Sequence, residues 1–135
     1  MFLYRRRVQF YETDAQGIVH HSNYFRYLEE ARGELLRHLG HPYSLLRERG
    51  LEVVLLSAEC EFLKPLAYDC EFEVLLELSH IDRYRFCFDY QLVSEGLLRA
   101  RGRTKHCVVK EGKIVSIPPE IRGKLTEFFS GLCRR

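Results

Sequence analysis

The run "SNYFRYLEEARGELLRHLG", Ser22 to Gly40, decides the fold. Its apolar residues Tyr24, Tyr27, Leu28, Ala31, Leu35 and Leu39 recur at helical spacing, while Arg26, Glu29, Glu30 and Arg37 fall off that stripe. One long amphipathic helix is expected, opened by Ser22 or Asn23 as N-cap and closed by Gly40 followed by Pro42. Gly33 inside it costs about 1 kcal/mol relative to alanine, which points to close packing against another backbone. "YSLLRERG" adds a short further turn of helix.

Beyond Gly50 the period changes from 3.6 to 2. From Val53 to Leu63, the residues Val54, Leu56, Ala58, Cys60 and Phe62 alternate with Ser57, Glu59 and Glu61. Three more alternating runs follow: Cys70 to Leu78, Tyr84 to Leu92 and Leu98 to Val108. Each is expected to be a strand with one buried face. The connections "KPLAYD", "SHIDR" and "SEG" are short and turn-rich, so successive strands are expected to be antiparallel neighbours. A strand from about Leu3 to Tyr11 joins them, and "PPEIRGKLTEFFSGL" reads as a shorter C-terminal helix with proline at its start. With one long helix to cover so much sheet, the expected architecture is α+β: a long curved antiparallel sheet wrapped around one central helix. Residues 1–135 form a single domain in this reading. Such a domain leaves a sheet edge open, and Leu75 sits on the face away from the core, so a homo-oligomer is expected.

Composition narrows the function classes. The chain is 46% hydrophobic and 30% charged, which is globular, and its formal net charge of +2 implies no polyanionic partner. Arg99, Arg101, Arg103 and Lys105 form a basic stripe along one strand face. No aromatic residues interleave with them for base stacking, so nucleic-acid binding is not expected. No apolar run approaches membrane-spanning length, and charge interrupts "MFLYRRRVQF" too early for a signal peptide, so a cytoplasmic location is expected. Cys60, Cys70, Cys87, Cys107 and Cys133 are odd in number and widely spaced, which favours reduced thiols over a disulfide framework or zinc site.

Between the first strand and the helix lies "YETDAQGIVHHSNY", Tyr11 to Tyr24. It places Asp14 in a loop and His20 and His21 at the helix start, with Gly17 able to turn the chain back sharply. A helix start offers N–H groups with no intrahelical partner, suited to a carbonyl oxygen gaining negative charge. A carboxylate facing it supplies a base or nucleophile for acyl transfer. An Asx turn at Asp14 and a histidine serving the helix start account for the same residues structurally. As metal ligands the two histidines lack a third partner at standard spacing, and the chain has no nucleophile elbow for a serine triad.

The longer stretch "VQFYETDAQGIVHHSNYFRYLEEAR" resembles the signature of the 4-hydroxybenzoyl-CoA thioesterase-like group of hotdog-fold acyl-CoA thioesterases. The matching residues are Asp14, Gly17, Val19, His21, Tyr24, Glu30, Ala31 and Arg32, and "CEFLKPLAYD" is similar to that family's Phe-x-x-Pro turn. His20 and Gln16 depart from the pattern, at positions where relatives often carry an aromatic and a small residue. The resemblance implies a hotdog fold and hydrolysis of an acyl-CoA or acyl carrier protein thioester. It makes Asp14 the catalytic nucleophile or general base and places His21 at the carbonyl. Gly17, Val19 and Tyr24 would border the substrate, and Arg83 and Arg85 would lie near the nucleotide of coenzyme A. The resemblance implies no metal and no cofactor beyond the coenzyme A of the substrate, and a cleft shared in a homodimer or homotetramer. A hotdog hydratase or dehydratase and a non-catalytic acyl-CoA binding module are the rival readings, and Asp14 within the motif favours hydrolysis over both.

Overall fold

The computed structural model describes residues 1–133. Along the chain these form β1 (Phe2–Arg7), a 3-10 turn (Phe10–Glu12), α1 (Ser22–His38), α2 (Tyr43–Glu48), β2 (Leu51–Phe62), β3 (Glu71–Ile81), β4 (Arg85–Ser94), β5 (Leu97–Lys110), β6 (Lys113–Val115) and α3 (Pro119–Cys133). The sheet is antiparallel throughout, in the order β1-β3-β4-β5-β2 with β6 paired to β5. It wraps around α1 in the hotdog arrangement.

The stripe of α1 behaves as its spacing predicts: Tyr24, Tyr27, Leu28, Ala31 and Leu35 are all buried. Tyr27 packs on Phe72 of β3 with ring centroids 4.7 Å apart, and Tyr24 on Phe62 of β2 at 4.8 Å. The closest approach is at Gly102 of β5, where an added Cβ would sit 2.8 Å from Leu28 Cδ1 and 3.3 Å from the Glu59 carbonyl oxygen. That contact explains a glycine inside a long strand. Gly33 differs from expectation: its neighbour is the Tyr43 ring, 3.4 Å from where a Cβ would be, not another backbone. The C-terminal helix also covers the sheet's inner face, since Ile121, Leu125 and Phe129 are buried and Phe129 lies 6.4 Å from Phe88.

Three sequence expectations change. The first strand ends at Arg7 instead of Tyr11, because Glu12 turns back to accept the Gln9 N–H at 2.8 Å and closes a 3-10 turn. β2 and β3 are not neighbours: β2 pairs with β5, while β3 lies between β1 and β4. The "KPLAYD" segment therefore crosses the end of the sheet instead of making a hairpin. Finally, Val54 and Leu56 do not share a face with Ala58, Cys60 and Phe62, because a bulge between Leu55 and Ser57 shifts the register. Leu55, paired with His106, joins the inner face instead.

The sequence left β6 undetected, being three residues long. The basic stripe is largely paired: Arg101 meets Glu61 at 2.8 Å and Arg103 meets Asp89 at 2.7 Å. Cys60, Cys70, Cys87 and Cys107 are free thiols, with Cys87 and Cys107 buried. The side chain of Cys133 lies outside the described residues. No helix is long and apolar enough to cross a membrane among the described residues.

Candidate active site

Asp14 occupies a tight loop between the 3-10 turn and α1. Its N–H donates to the Ile18 carbonyl at 2.8 Å, and its own carbonyl accepts the Gly17 N–H at 3.0 Å. Gly17 has φ of 78°, a region L side chains rarely adopt, and this is what lets the chain reverse there. The crossing "KPLAYD" segment pins the loop from the other side, with Val19 N–H on the Leu66 carbonyl at 2.8 Å and Tyr68 N–H on the Gly17 carbonyl at 3.1 Å. The Asx turn is present: Asp14 Oδ1 accepts the Gln16 N–H at 2.8 Å. It fixes the carboxylate and leaves Oδ2 without a hydrogen-bond partner among the described residues.

The helix start is arranged so that one donor remains free. His20 N–H donates to the Glu12 carbonyl at 2.9 Å, Ser22 N–H to His20 Nδ1 at 3.2 Å, Asn23 N–H to the His20 carbonyl at 2.9 Å and Tyr24 N–H to the His21 carbonyl at 3.2 Å. The His21 N–H has no acceptor among the described residues. This corrects the expected N-cap. The helix already includes Ser22 and Asn23, and the His20 imidazole serves its first turn. Asn23 instead donates from Nδ2 to the Glu12 carbonyl at 2.9 Å. The His20 and His21 rings lie 4.1 Å apart.

Asp14, Val19, His21 and Tyr24 border one cleft of about 380 Å³, with Ile18 beside them. Its other wall is Phe62, Leu63, Lys64 and Pro65, where β2 ends and the crossing segment begins. Tyr24 is buried, and that burial raises its phenol above the ordinary range. Gly17 is not on the cleft wall and acts through the shape of the loop. The wall from Phe62 to Pro65 went unassigned in the sequence, where the Phe-x-x-Pro spacing read only as a turn. Asp14, with an unpartnered carboxylate oxygen, and His21, with an unpartnered N–H, thus share the walls of one largely apolar cleft, and such a pair of groups can polarise a carbonyl and direct an attack on it.

Arg83 and Arg85 are not brought to this cleft within one chain. They sit at the β3–β4 turn, and β3 is 11 residues long, so the turn is roughly 35 Å from the Asp14 end of the sheet at about 3.3 Å per residue. Asp82 shapes the turn by accepting the Tyr84 and Arg85 N–H groups, each at 2.8 Å. The Arg83 guanidinium lies 5.4 Å from the Tyr84 ring centroid.

Residues 8–125 match the family model described as the thioesterase-like superfamily. The crystal structure of a hypothetical protein from Aquifex aeolicus superposes with a TM-score of 0.91 at 63% identity, covering 93% of this chain and 99% of that one. A 1,4-dihydroxy-2-naphthoyl-CoA hydrolase of Thermosynechococcus vestitus is 35% identical over 105 residues, 76% of this chain and 72% of the relative. The acyl-CoA thioesterase YbgC of Haemophilus influenzae is 29% identical over 124 residues, 90% of this chain and 91% of the relative. With the family model spanning most of the sequence and the sheet wrapped around α1 in the same way, the chain belongs to the thioesterase-like superfamily, among the hotdog-fold acyl-CoA thioesterases.

Proposed function

We propose that the chain hydrolyses an acyl-CoA to the free acid and coenzyme A, with the thioester held between Asp14 and the backbone N–H of His21. The observation that carries this reading is that Asp14, with an unpartnered carboxylate oxygen, and His21, with an unpartnered N–H, both line one cleft. The His21 N–H would stabilise the oxyanion as the carbonyl carbon becomes tetrahedral. Asp14 acts by one of two routes. As general base it takes a proton from the attacking water; as nucleophile it expels the thiolate to form a mixed anhydride, which water then opens. Coenzyme A leaves as a thiolate, and with thiol pKa values of about 8.5 that step needs little acid assistance. One carboxylate and one donor therefore suffice in this proposal, without a metal or added cofactor. Thiol release from a panel of acyl-CoA and acyl carrier protein thioesters, followed with Ellman-type chemistry, is expected to show turnover of at least one CoA ester. No release from any of them would refute the reading.

The cleft wall from Phe62 to Pro65 lies at the open sheet edge. Along β2, Leu55 and Phe62 are each 49% exposed on the inner face, an unusual state for apolar residues of a sheet interior. We propose that β2 pairs with β2 of a second copy about a two-fold axis, giving a dimer, or a tetramer of two such dimers, that closes the cleft. Leu55→Asp would place two carboxylates near each other across that axis. Sedimentation is expected to show monomers, with hydrolysis lost in parallel. A fully active wild-type monomer at micromolar concentration would remove the shared cleft.

Antiparallel pairing of β2 would also bring the second copy's β3–β4 turn to the Asp14 end of the first. In that arrangement Arg83 and Arg85 reach the phosphates of coenzyme A, where guanidinium groups are well suited. Replacing both with alanine should raise KM for a CoA ester by about tenfold, the scale of one charge-assisted hydrogen bond, and leave a pantetheine thioester nearly unchanged. Equal effects on both substrates would show that these arginines do not meet the nucleotide.

A further inference from the structure

Glu12 is a buried carboxylate just ahead of Asp14, 3% exposed. Burying a carboxylate is costly unless it is paired and hydrogen-bonded, and apolar residues of similar size would pack such a place at least as well. Here the charge is fully used. Glu12 Oε1 accepts from Arg6 Nη1 at 2.5 Å and from the Gln9 N–H at 2.8 Å. Arg6 projects from the inner face of β1, its guanidinium 4.8 Å from the Tyr27 ring centroid, and also pairs with Glu30 of α1 at 2.7 Å. Tyr4 donates to the same Glu30 oxygen at 2.8 Å. A row of charges, Glu12, Arg6 and Glu30, thus ties the 3-10 turn to β1 and to the body of α1.

The main chain of Glu12 extends the tie to the cleft. Its carbonyl accepts the His20 N–H and Asn23 Nδ2, both at 2.9 Å. Asn23 is itself buried, at 5% exposure. One residue therefore fixes both partners: Asp14 lies two residues beyond it, and His21 directly follows a residue bonded to it. We infer that Glu12, held by Arg6, is a positioning residue for thioester hydrolysis, setting the gap between the Asp14 carboxylate and the His21 N–H. It lies off the cleft wall. The inference rests on the proposed roles of Asp14 and His21, and its consequence is kinetic. A loosened tether leaves the binding surfaces in place and spoils the alignment of the reacting groups, so kcat falls while KM holds.

Steady-state kinetics on Glu12→Gln, Glu12→Ala and Asn23→Ala, normalised to folded protein by circular dichroism, test it. Glu12→Gln keeps the acceptor for the Gln9 N–H and loses the charge facing Arg6. It should lower kcat by about tenfold, and Glu12→Ala by about a hundredfold. KM and the Kd of a non-hydrolysable thioether analogue should stay within about twofold of wild type. Asn23→Ala removes one of the two bonds to the Glu12 carbonyl without disturbing a buried charge, and should lower kcat several-fold even if Glu12→Ala does not fold. A purely structural anchor would lower Tm and the folded fraction while leaving kcat per folded molecule unchanged, and that result would overturn the inference. So would a rise in KM at constant kcat. Full activity of Asp14→Asn would instead remove the underlying assignment, whereas an inactive Asp14→Asn with unimpaired Glu12 and Asn23 variants would remove this inference alone.

Discussion

Asp14→Ala is expected to lower kcat for acyl-CoA hydrolysis by about 10²–10⁴-fold, the usual yield of a positioned acid–base group, with far-UV circular dichroism and Tm close to wild type. The separation of effects follows from the geometry. The Asp14 side chain makes one hydrogen bond within the chain, to the Gln16 N–H of its own loop. The loop is held by backbone bonds that alanine retains, from Asp14 N–H to the Ile18 carbonyl and from Val19 N–H to the Leu66 carbonyl. Losing the Asx bond costs about 1 kcal/mol of local stability. Losing the carboxylate removes either the base for water or the nucleophile itself. Unimpaired turnover by Asp14→Ala would end its catalytic assignment.

Acid should destabilise the fold as soon as the pH falls below about 6.5, and His106 is the cause. It lies on the inner face of β5, 1% exposed, stacked on Phe86 at 5.2 Å. Burial pushes its pKa down to about 3, with the Arg32 charge acting in the same direction. Hydrogen bonding gives the same answer. Arg32 Nη1 donates to the Tyr90 hydroxyl at 3.3 Å, Tyr90 meets Thr104 Oγ1 at 2.6 Å, and Thr104 Oγ1 meets His106 Nε2 at 2.8 Å. A guanidinium can only donate, so the arrangement that uses every hydroxyl proton runs from Tyr90 to Thr104 to His106, with Nε2 unprotonated as the acceptor.

The unfolded chain takes up this proton near pH 6.5 and the folded chain does not, so stability is full above 6.5 and declines as pH falls toward 3. At about 1.4 kcal/mol per unit, the loss between pH 6.5 and 4.5 is about 2–3 kcal/mol. That window lies above the range where Glu12 enters. Burial raises the Glu12 carboxyl, but Arg6 and the Gln9 N–H outweigh it and leave the group below its ordinary 4.5, so its contribution is lost only in stronger acid. His41, also lowered by burial and then by Lys124, adds a slope of the same sign. Urea titrations of wild type and His106→Leu across pH 4.5–7 should therefore show a flatter profile in the variant, and identical slopes would rule His106 out.

What the sequence disclosed was mostly what depends on neighbours along the chain. The α1 stripe and the alternation of β3, β4 and β5 express local periodicity, and their buried faces follow it. The Asp14 loop and helix start were legible because glycine, carboxylate and histidine lie within a few positions of each other. Strand order was not legible. The partner of β2 is β5, and nothing near Phe62 says that the segment after it crosses the sheet end. The bulge after Leu55 was hidden too, because Val54 and Leu56 continue the apolar alternation through the register shift. The pairing of Arg6 with Glu12 was not legible either, because each is polar alone and only their meeting in the fold buries Glu12 and half-buries Arg6. The free N–H of His21 could not be inferred from residue types, because it depends on where the neighbouring backbone groups find their partners.

The central claim is that a thioester fits between the Asp14 carboxylate and the His21 N–H. A crystal structure of Asp14→Asn with a bound acyl-CoA measures this directly. It should show the thioester carbonyl oxygen about 2.7–3.1 Å from the His21 nitrogen, with residue 14 on the opposite side of the carbonyl carbon. A thioester bound with its carbonyl turned from His21, or seated in another cleft, would contradict the account.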